Sequence, residues 1–439
     1  MVIVYMLYHK YGGFFLPLFL FLISVPGTAL ASNGALTAFG DKWGWAGTDK
    51  AFVPQLVMYV SPDKFYNQAA KIDADIQNFI RGHGFSGFHV PVACRWFDLN
   101  KESCSNIPGN SPAVDQRTID ALKMLIRQTH AAGGMVHLWL WGDAQRGMTP
   151  KVRRDWGGLM GPVEKKLLDK IAQELGPIPG WSMGYGFDLD EWATESQLKS
   201  WHDYFQAKLP TFHFLGGRPE GPNRGANHTP WRTWNQPMGY SSYEHYQPTY
   251  DVYVASLKSL PGKPVMSEDR FRVRPGSKYA DKDYTEEMTR YGMWISTMAG
   301  GVANIWGRLD AGQLGSISYD NKHLLKTYSQ FFAHRFRKSF ARDNSITASG
   351  YGLREGTTHA VIYKTNSRSV RLNLSKLSGT LPAIAVDTKK AYQEISLGTL
   401  SASDQVWNAP YSSDWAIAVG TFASGTTGRS GGTGGTTAP

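Results

Sequence analysis

The sequence predicts an α/β protein: a (β/α)8 barrel over residues 32–340, followed by a small antiparallel β-sandwich over residues 341–422. Three observations predict it. Short strand patterns alternate with helical ones about eight times across the first region, as parallel βαβ units do. No Gly-rich phosphate loop of the G-x-G-x-x-G or G-x-x-x-x-G-K kind follows an early strand, which argues against an open doubly wound sheet. After Asn344 the helical pattern stops, and only short alternating runs remain. A chain of 439 residues, 42% of them hydrophobic, is long enough for one large domain and a small one.

Residues 1–31 stand apart from this pattern. His9 and Lys10 precede the apolar run FFLPLFLFLISV, and Ala29-Leu30-Ala31 follows it. The pattern predicts a secretory signal peptide cut after Ala31. The run is short for a membrane span of about 20 residues, so the mature chain is expected outside the cell or in the periplasm, free of the membrane. Cys94 and Cys104 are the only cysteines, and in an oxidising compartment they would form one local disulfide. The formal net charge is +10, of which Lys10 in the leader supplies one. A basic exported chain suits acidic polymers such as polyuronides. Without a Lys/Arg run or a nucleic-acid motif, nucleic acid is not an expected partner.

The elements follow in order. Residues 36–47, LTAFGDKWGWAG, read as a first strand and an aromatic-rich loop. Ile72, Ile76, Phe79 and Ile80 repeat at helical spacing. GFHVPV, residues 87–92, is a buried strand leading to Arg95 and Trp96. An amphipathic helix over 119–132 closes on Gly133-Gly134. MVHLWLW, residues 135–141, is the next strand and ends at Asp143. A helix over 163–175 precedes the strand 181–190, WSMGYGFDLD. Helices over 198–209, 250–260, 285–298 and 323–336 then alternate with strands over 211–216, 238–246, 263–268 and 301–306. HAVIYK, VRLNLS, PAIAVD and WAIAV supply the strands of the sandwich, and the Gly/Thr-rich tail 423–439 reads as disordered.

Chemistry in such a barrel sits at the carboxyl ends of the strands. Those ends carry Arg95 and Trp96; Trp139, Trp141 and Asp143; Asp188, Asp190 and Glu191; Arg218 and Glu220; Tyr243, His245 and Tyr246; Glu268, Asp269 and Arg270; Trp306 and Arg308. Two acid clusters thus face each other across a ring of aromatics. Trp and Tyr stack on the apolar faces of sugars, while Asp, Glu, Arg and His bind their hydroxyls. The 15 Trp, many at predicted strand ends, favour a carbohydrate groove. Cleavage of a glycosidic bond needs two facing carboxyl groups. Glu191 is the candidate acid/base, its pKa raised by Asp188 and Asp190, and Glu268 the candidate nucleophile. Arg270 or Arg272 would keep Glu268 ionised, and Tyr243 or His245 would orient it. Asp188, Asp190, Arg95, Trp141, Tyr243, His245, Tyr246, Arg270 and Trp306 are the candidate substrate contacts. The 12 His are scattered without H-E-x-x-H or a Cys/His cluster, so no metal or other cofactor is expected.

KPVMSED, with Phe271 soon after, resembles the seventh-strand nucleophile motif of retaining (β/α)8 glycosidases whose acid/base and nucleophile lie on strands four and seven. Asp190-Glu191 matches that superfamily's fourth-strand Asn-Glu, with Asp in place of Asn. Trp306 and His245-Tyr246 look like its eighth- and sixth-strand residues. YGMWISTMAGGVANIWG resembles the last helix and strand of the apiosidase-like barrels, and Trp407, Pro410 and Ser413-Asp414-Trp415 match the late part of their collagen-binding-like β domain. The resemblance implies a retaining double displacement with two Glu. GFDLDEW is also similar to the Asp-x-Asp-x-Glu strand of chitinase-like barrels, which use a substrate acetamido nucleophile, although here Glu191 directly follows Asp190. A polysaccharide lyase would instead use His245 or Tyr246 as base and Arg270 or Arg272 against a uronate, and a binding module would use the aromatic groove alone.

Overall fold

The computed structural model describes residues 34–217, 238–259, 261–271, 283–307 and 319–422. The expected signal peptide, the Gly/Thr-rich residues 423–439, Arg218, Glu220, Arg272 and Arg308 lie outside the described residues. Eight strands form a parallel sheet: β4 (Gln55–Met58), β5 (Gly87–Pro91), β6 (Met135–Trp139), β7 (Trp181–Gly184), β8 (Phe214–Gly216), β9 (Ser241–Tyr243), β10 (Val265–Phe271) and β11 (Ala303–Trp306). Their order is β8-β7-β6-β5-β4-β11-β10-β9. The two ends meet where the Gly239 N–H donates to the Leu215 carbonyl at 2.8 Å, so the sheet is a barrel. Helices follow the strands: α1 (Ala69–Asp75), α2 (Gln116–Ala131), α3 (Pro162–Glu174), α4 (Glu195–Lys208), α5 (Tyr250–Ser259), α6 (Glu286–Met298) and α7 (Lys322–Phe332). Asp115 caps α2, and Thr194 with Gln197 forms a capping box on α4.

The first barrel strand is β4, not the segment 36–47. That segment forms β1 (Leu36–Phe39) and β2 (Lys42–Trp45), which pair antiparallel with each other, and β3 (Ala51–Phe52) joins β2. Their apolar side chains close the base of the barrel. Leu36, Trp43 and Trp45 share a core with Leu56, Met135, Phe214, Tyr240, Met266 and Ala303 from the barrel interior. The Trp43 ring lies 4.4 Å from Phe214.

The remaining strands are β12 (Ala341–Arg342), β13 (Tyr351–Glu355), β14 (His359–Asn373), β15 (Thr380–Asp387), β16 (Ile395–Ser401) and β17 (Asp404–Val419), in one antiparallel sheet. The pairing of β14 with β17 shifts register near Ser367. Side chains from both sides of that shift, Ile362 and Leu372 among them, share one core, as in a sheet folded over on itself. The outer face of this sheet packs on the barrel helices. Trp294 of α6 stacks on Tyr363 at 5.2 Å, and the buried Arg290 binds Asp414 at 2.6 Å.

Candidate active site

Alternation along the barrel strands decides which residues reach the interior. On β6, Met135, His137 and Trp139 face inward, while Val136 and Leu138 pack against helices. Above the apolar base lies a polar layer. His89 and His137 stack at 5.3 Å, and His89 meets Trp139 edge-on at 4.3 Å. His137 Nδ1 lies 2.8 Å from the Ser182 hydroxyl. Next to this layer Met58, Trp139, Phe187 and Ile305 form a buried apolar cluster.

Glu268 is buried within that polar layer. The pairing of β10 with β11 slips between Ser267 and Arg270, so Glu268 and Asp269 sit in a β-bulge. Bulges of this kind re-aim side chains beside active sites. The Tyr240 hydroxyl donates to Glu268 Oε1, and His137 Nε2 lies 3.2 Å from the same oxygen. Gly184 makes room for the carboxylate, since a Cβ there would come 3.1 Å from Glu268 Oε1 and 2.8 Å from Trp139. Burial, with the Glu268 charge added, pushes the Tyr240 phenol well above its usual range, so it remains a donor. Asp269 acts on the other side of the wall, where its charge adds to burial in raising the Tyr284 phenol.

The acid run leaves the sheet earlier than expected. β7 ends at Gly184, although the Tyr185 N–H still donates to the Gly216 carbonyl at 2.9 Å. Asp188 is left-handed (φ 52, ψ 43) and starts a short 3-10 turn, Leu189–Glu191. Glu191 is exposed at the rim, where Gln145 Nε2 donates to its carboxylate at 3.2 Å and Lys151 donates to its carbonyl at 3.0 Å. Asp190 lies in the same turn, its side chain outside the described part. Only Phe187 of the flanking aromatics faces the mouth, 5.0 Å from Trp139. The Trp192 indole donates back to the Phe187 carbonyl.

Strand parity puts three expected contacts, Trp141, Tyr243 and Trp306, in the core outside the wall. Trp141 is buried outside the wall and donates its indole N–H to Glu164 on α3 at 2.9 Å. Tyr185 donates to the same Glu164 oxygen at 2.9 Å, and burial raises the Glu164 carboxyl. Trp306 alternates with the inward Ile305, so it points outward, donates to Gln55 at 2.6 Å and abuts Gly292 of α6. Tyr243 packs in the same outer core. The Arg95 guanidinium is held by Asp63 at 3.2 Å and lies 3.6 Å from Glu102. His245 and Tyr246 are buried beyond β9, with His245 Nδ1 2.8 Å from the Tyr246 carbonyl. Arg270 pairs through its backbone with Ile305. Cys94 and Cys104 are joined, their Cα atoms 5.1 Å apart.

The structure thus brings Glu268 together with His137, Tyr240, Ser182 and His89, none of which the strand-end inventory contained. The signal was present: a His at an inward position of the apolar strands GFHVPV and MVHLWLW, where burying an unpaired polar ring is costly. Among the described residues no cluster of His, Cys, Asp and Glu could hold a metal, and no helix is long and apolar enough to cross a membrane.

No family model matches the sequence. No curated protein matches it either. Solved structures do match. One described as a glycoside hydrolase superposes with a TM-score of 0.64 at 13% identity, covering 89% of this chain and 98% of its own. A glycoside hydrolase family 5 protein from Bacteroides vulgatus gives 0.62 at 13% identity, covering 88% and 93%. A second protein from that organism, described as a putative glycoside hydrolase, gives 0.59 at 12% identity, covering 89% and 83%. At these identities the likeness concerns architecture: the chain has the (β/α)8 fold with an appended β domain that these glycoside hydrolases share.

Proposed function

We propose that the protein is a secreted glycoside hydrolase that cleaves a poly- or oligosaccharide by a retaining double displacement. The observation that carries this reading is Glu268, a carboxylate buried on the barrel axis at the bulge of the seventh barrel strand, accepting from Tyr240 and 3.2 Å from His137. The Tyr240 hydroxyl, donating to Oε1, holds the carboxylate in place and stabilises its charge for attack on an anomeric carbon. Glu268 attacks that carbon while Glu191 protonates the departing oxygen. Glu191 then deprotonates the water that releases the sugar from Glu268. The leader pattern supports export, and the +9 that remains once Lys10 is removed with it favours an acidic glycan.

The test is digestion of neutral and acidic polysaccharides side by side by wild type, Glu268→Gln and Glu191→Gln. New reducing ends that vanish with Glu268→Gln support the assignment. Ultraviolet-absorbing unsaturated uronates still formed by that variant would overturn it.

A further inference from the structure

A cavity of about 450 Å³ lies outside the barrel wall, between the barrel and the C-terminal sheet. It opens on the catalytic face, because its floor is the segment that follows β9 and its flank is the start of α6. Four tyrosines line it. Tyr250 opens α5, Tyr284 precedes α6, Tyr291 lies on α6, and Tyr351 opens β13 of the sheet. Two of them are fixed walls. The Tyr250 ring stacks on Tyr351 at 3.9 Å and its hydroxyl donates to Asn344 at 3.1 Å, while Tyr284 is edge-on to Trp306 at 5.6 Å. Tyr291 and Tyr351 are only half-buried and present ring surface to the cavity. Exposed polar groups, the Thr249 hydroxyl and the Asp251 carboxylate, complete the rim.

We propose that this cavity is a second saccharide-binding site, holding a neutral stretch of the glycan chain beside the catalytic mouth. The volume falls within the roughly 300–1,000 Å³ of small-ligand pockets. Immobile aromatic rings with adjacent hydroxyl and carboxylate acceptors suit the alternating apolar faces and hydroxyls of a sugar. Asp251 disfavours a uronate at that position. The C-terminal sheet supplies Tyr351, so it builds part of the site as well as covering barrel helices. The choice of a saccharide over another small ligand rests on the function proposed above.

The test is binding, separate from turnover. Hexasaccharides of cellulose, mannan, xylan and polygalacturonate are titrated by calorimetry into Glu268→Gln. The expected result is a neutral probe whose binding is weakened about tenfold by Tyr291→Ala, as loss of one aromatic platform predicts. Protection of Tyr291 from nitration by the same probe, read by mass spectrometry on the unsubstituted protein, supplies a measurement that needs no variant. Tyr291-dependent binding without any hydrolysis by wild type would leave this site standing and sink the hydrolase. Binding indifferent to Tyr291→Ala, or no protection of Tyr291 by any probe, overturns the second site.

Discussion

Tyr240→Phe isolates the contact that defines the proposed nucleophile. The Tyr240 ring is buried between Trp43, 5.6 Å away, and His137, 5.9 Å away, so Phe keeps the packing and removes only the hydroxyl. That hydroxyl donates to Glu268 Oε1. A hydrogen bond to a charged group contributes about 1.5–3 kcal/mol, and if the bond tightens as charge is redistributed in the transition state, its loss lowers kcat/KM roughly 10- to 150-fold. Tyr243→Phe is the control. Its ring lies in the outer core among the helices, so kcat/KM should stay within about threefold of wild type. The assay is initial-rate hydrolysis of an aryl glycoside, with urea melts to show that both variants fold. Tyr240→Phe at wild-type kcat/KM, or a larger loss from Tyr243→Phe, would refute the placement of Glu268 on the barrel axis.

Other consequences follow from buried contacts. Asp414→Ala removes one of the two carboxylates on the buried Arg290 guanidinium, 2.6 Å away, and leaves it Glu287, Tyr363 and Thr388; the loss of that charged hydrogen bond should cost about 1.5–3 kcal/mol in urea unfolding, and an unchanged unfolding free energy would refute the clasp. Reducing the Cys94–Cys104 disulfide, which closes a loop of sequence separation 10, should lower stability by about 2–3 kcal/mol, measured in melts with and without dithiothreitol. Glu164 gives a pH signature. Burial raises its carboxyl in the folded state, so its contribution is fully present below the ordinary value of about 4.3 and is lost as pH rises through the raised one. Unfolding free energies of Glu164→Gln, whatever their offset, should lack that downward slope, and parallel curves for variant and wild type would contradict it.

Most helices were legible because their apolar spacing is strong. The expected 119–132 is found at Gln116–Ala131, and 163–175 at Pro162–Glu174. The barrel and the run of late strands were legible from alternation alone. Three features were not. QLVM, β4, is a four-residue run between turns and leaves no periodic signal, and the hairpin before it took its place as first strand. The side of the wall on which Tyr243, Trp141 and Trp306 fall depends on parity, and a shift of one residue inverts it. Glu268 was legible as a strand-end acid, but the bulge that aims it and the Tyr240 contact depend on neighbours far along the chain. His137 and His89 were visible as polar residues inside apolar strands, yet a list drawn from strand ends passes over mid-strand positions.

The acid/base assignment turns on a single left-handed residue. Ser182 and Gly184 face inward, and continuing that alternation would bring Asp188 into line over Glu268. Asp188 instead takes φ 52, a conformation that costs a non-Gly residue roughly 1–2 kcal/mol. Its carbonyl accepts from the Glu191 N–H at 3.1 Å, and the turn carries Glu191 to the rim beside Gln145. In the proposed mechanism this strained residue serves the placement of Glu191, which has the longer side chain. A general acid matters in proportion to how poor the leaving group is. Glu191→Gln should leave a dinitrophenyl glycoside, whose leaving group needs no proton, cleaved at near the wild-type first step. It should slow polysaccharide hydrolysis by about 10²–10⁴-fold. Asp188→Gly, which relieves the backbone strain but removes the carboxylate, should slow both substrates alike and modestly. If the leaving-group dependence appears in Asp188→Asn and not in Glu191→Gln, the acid is Asp188, and the left-handed turn has some purpose other than presenting Glu191.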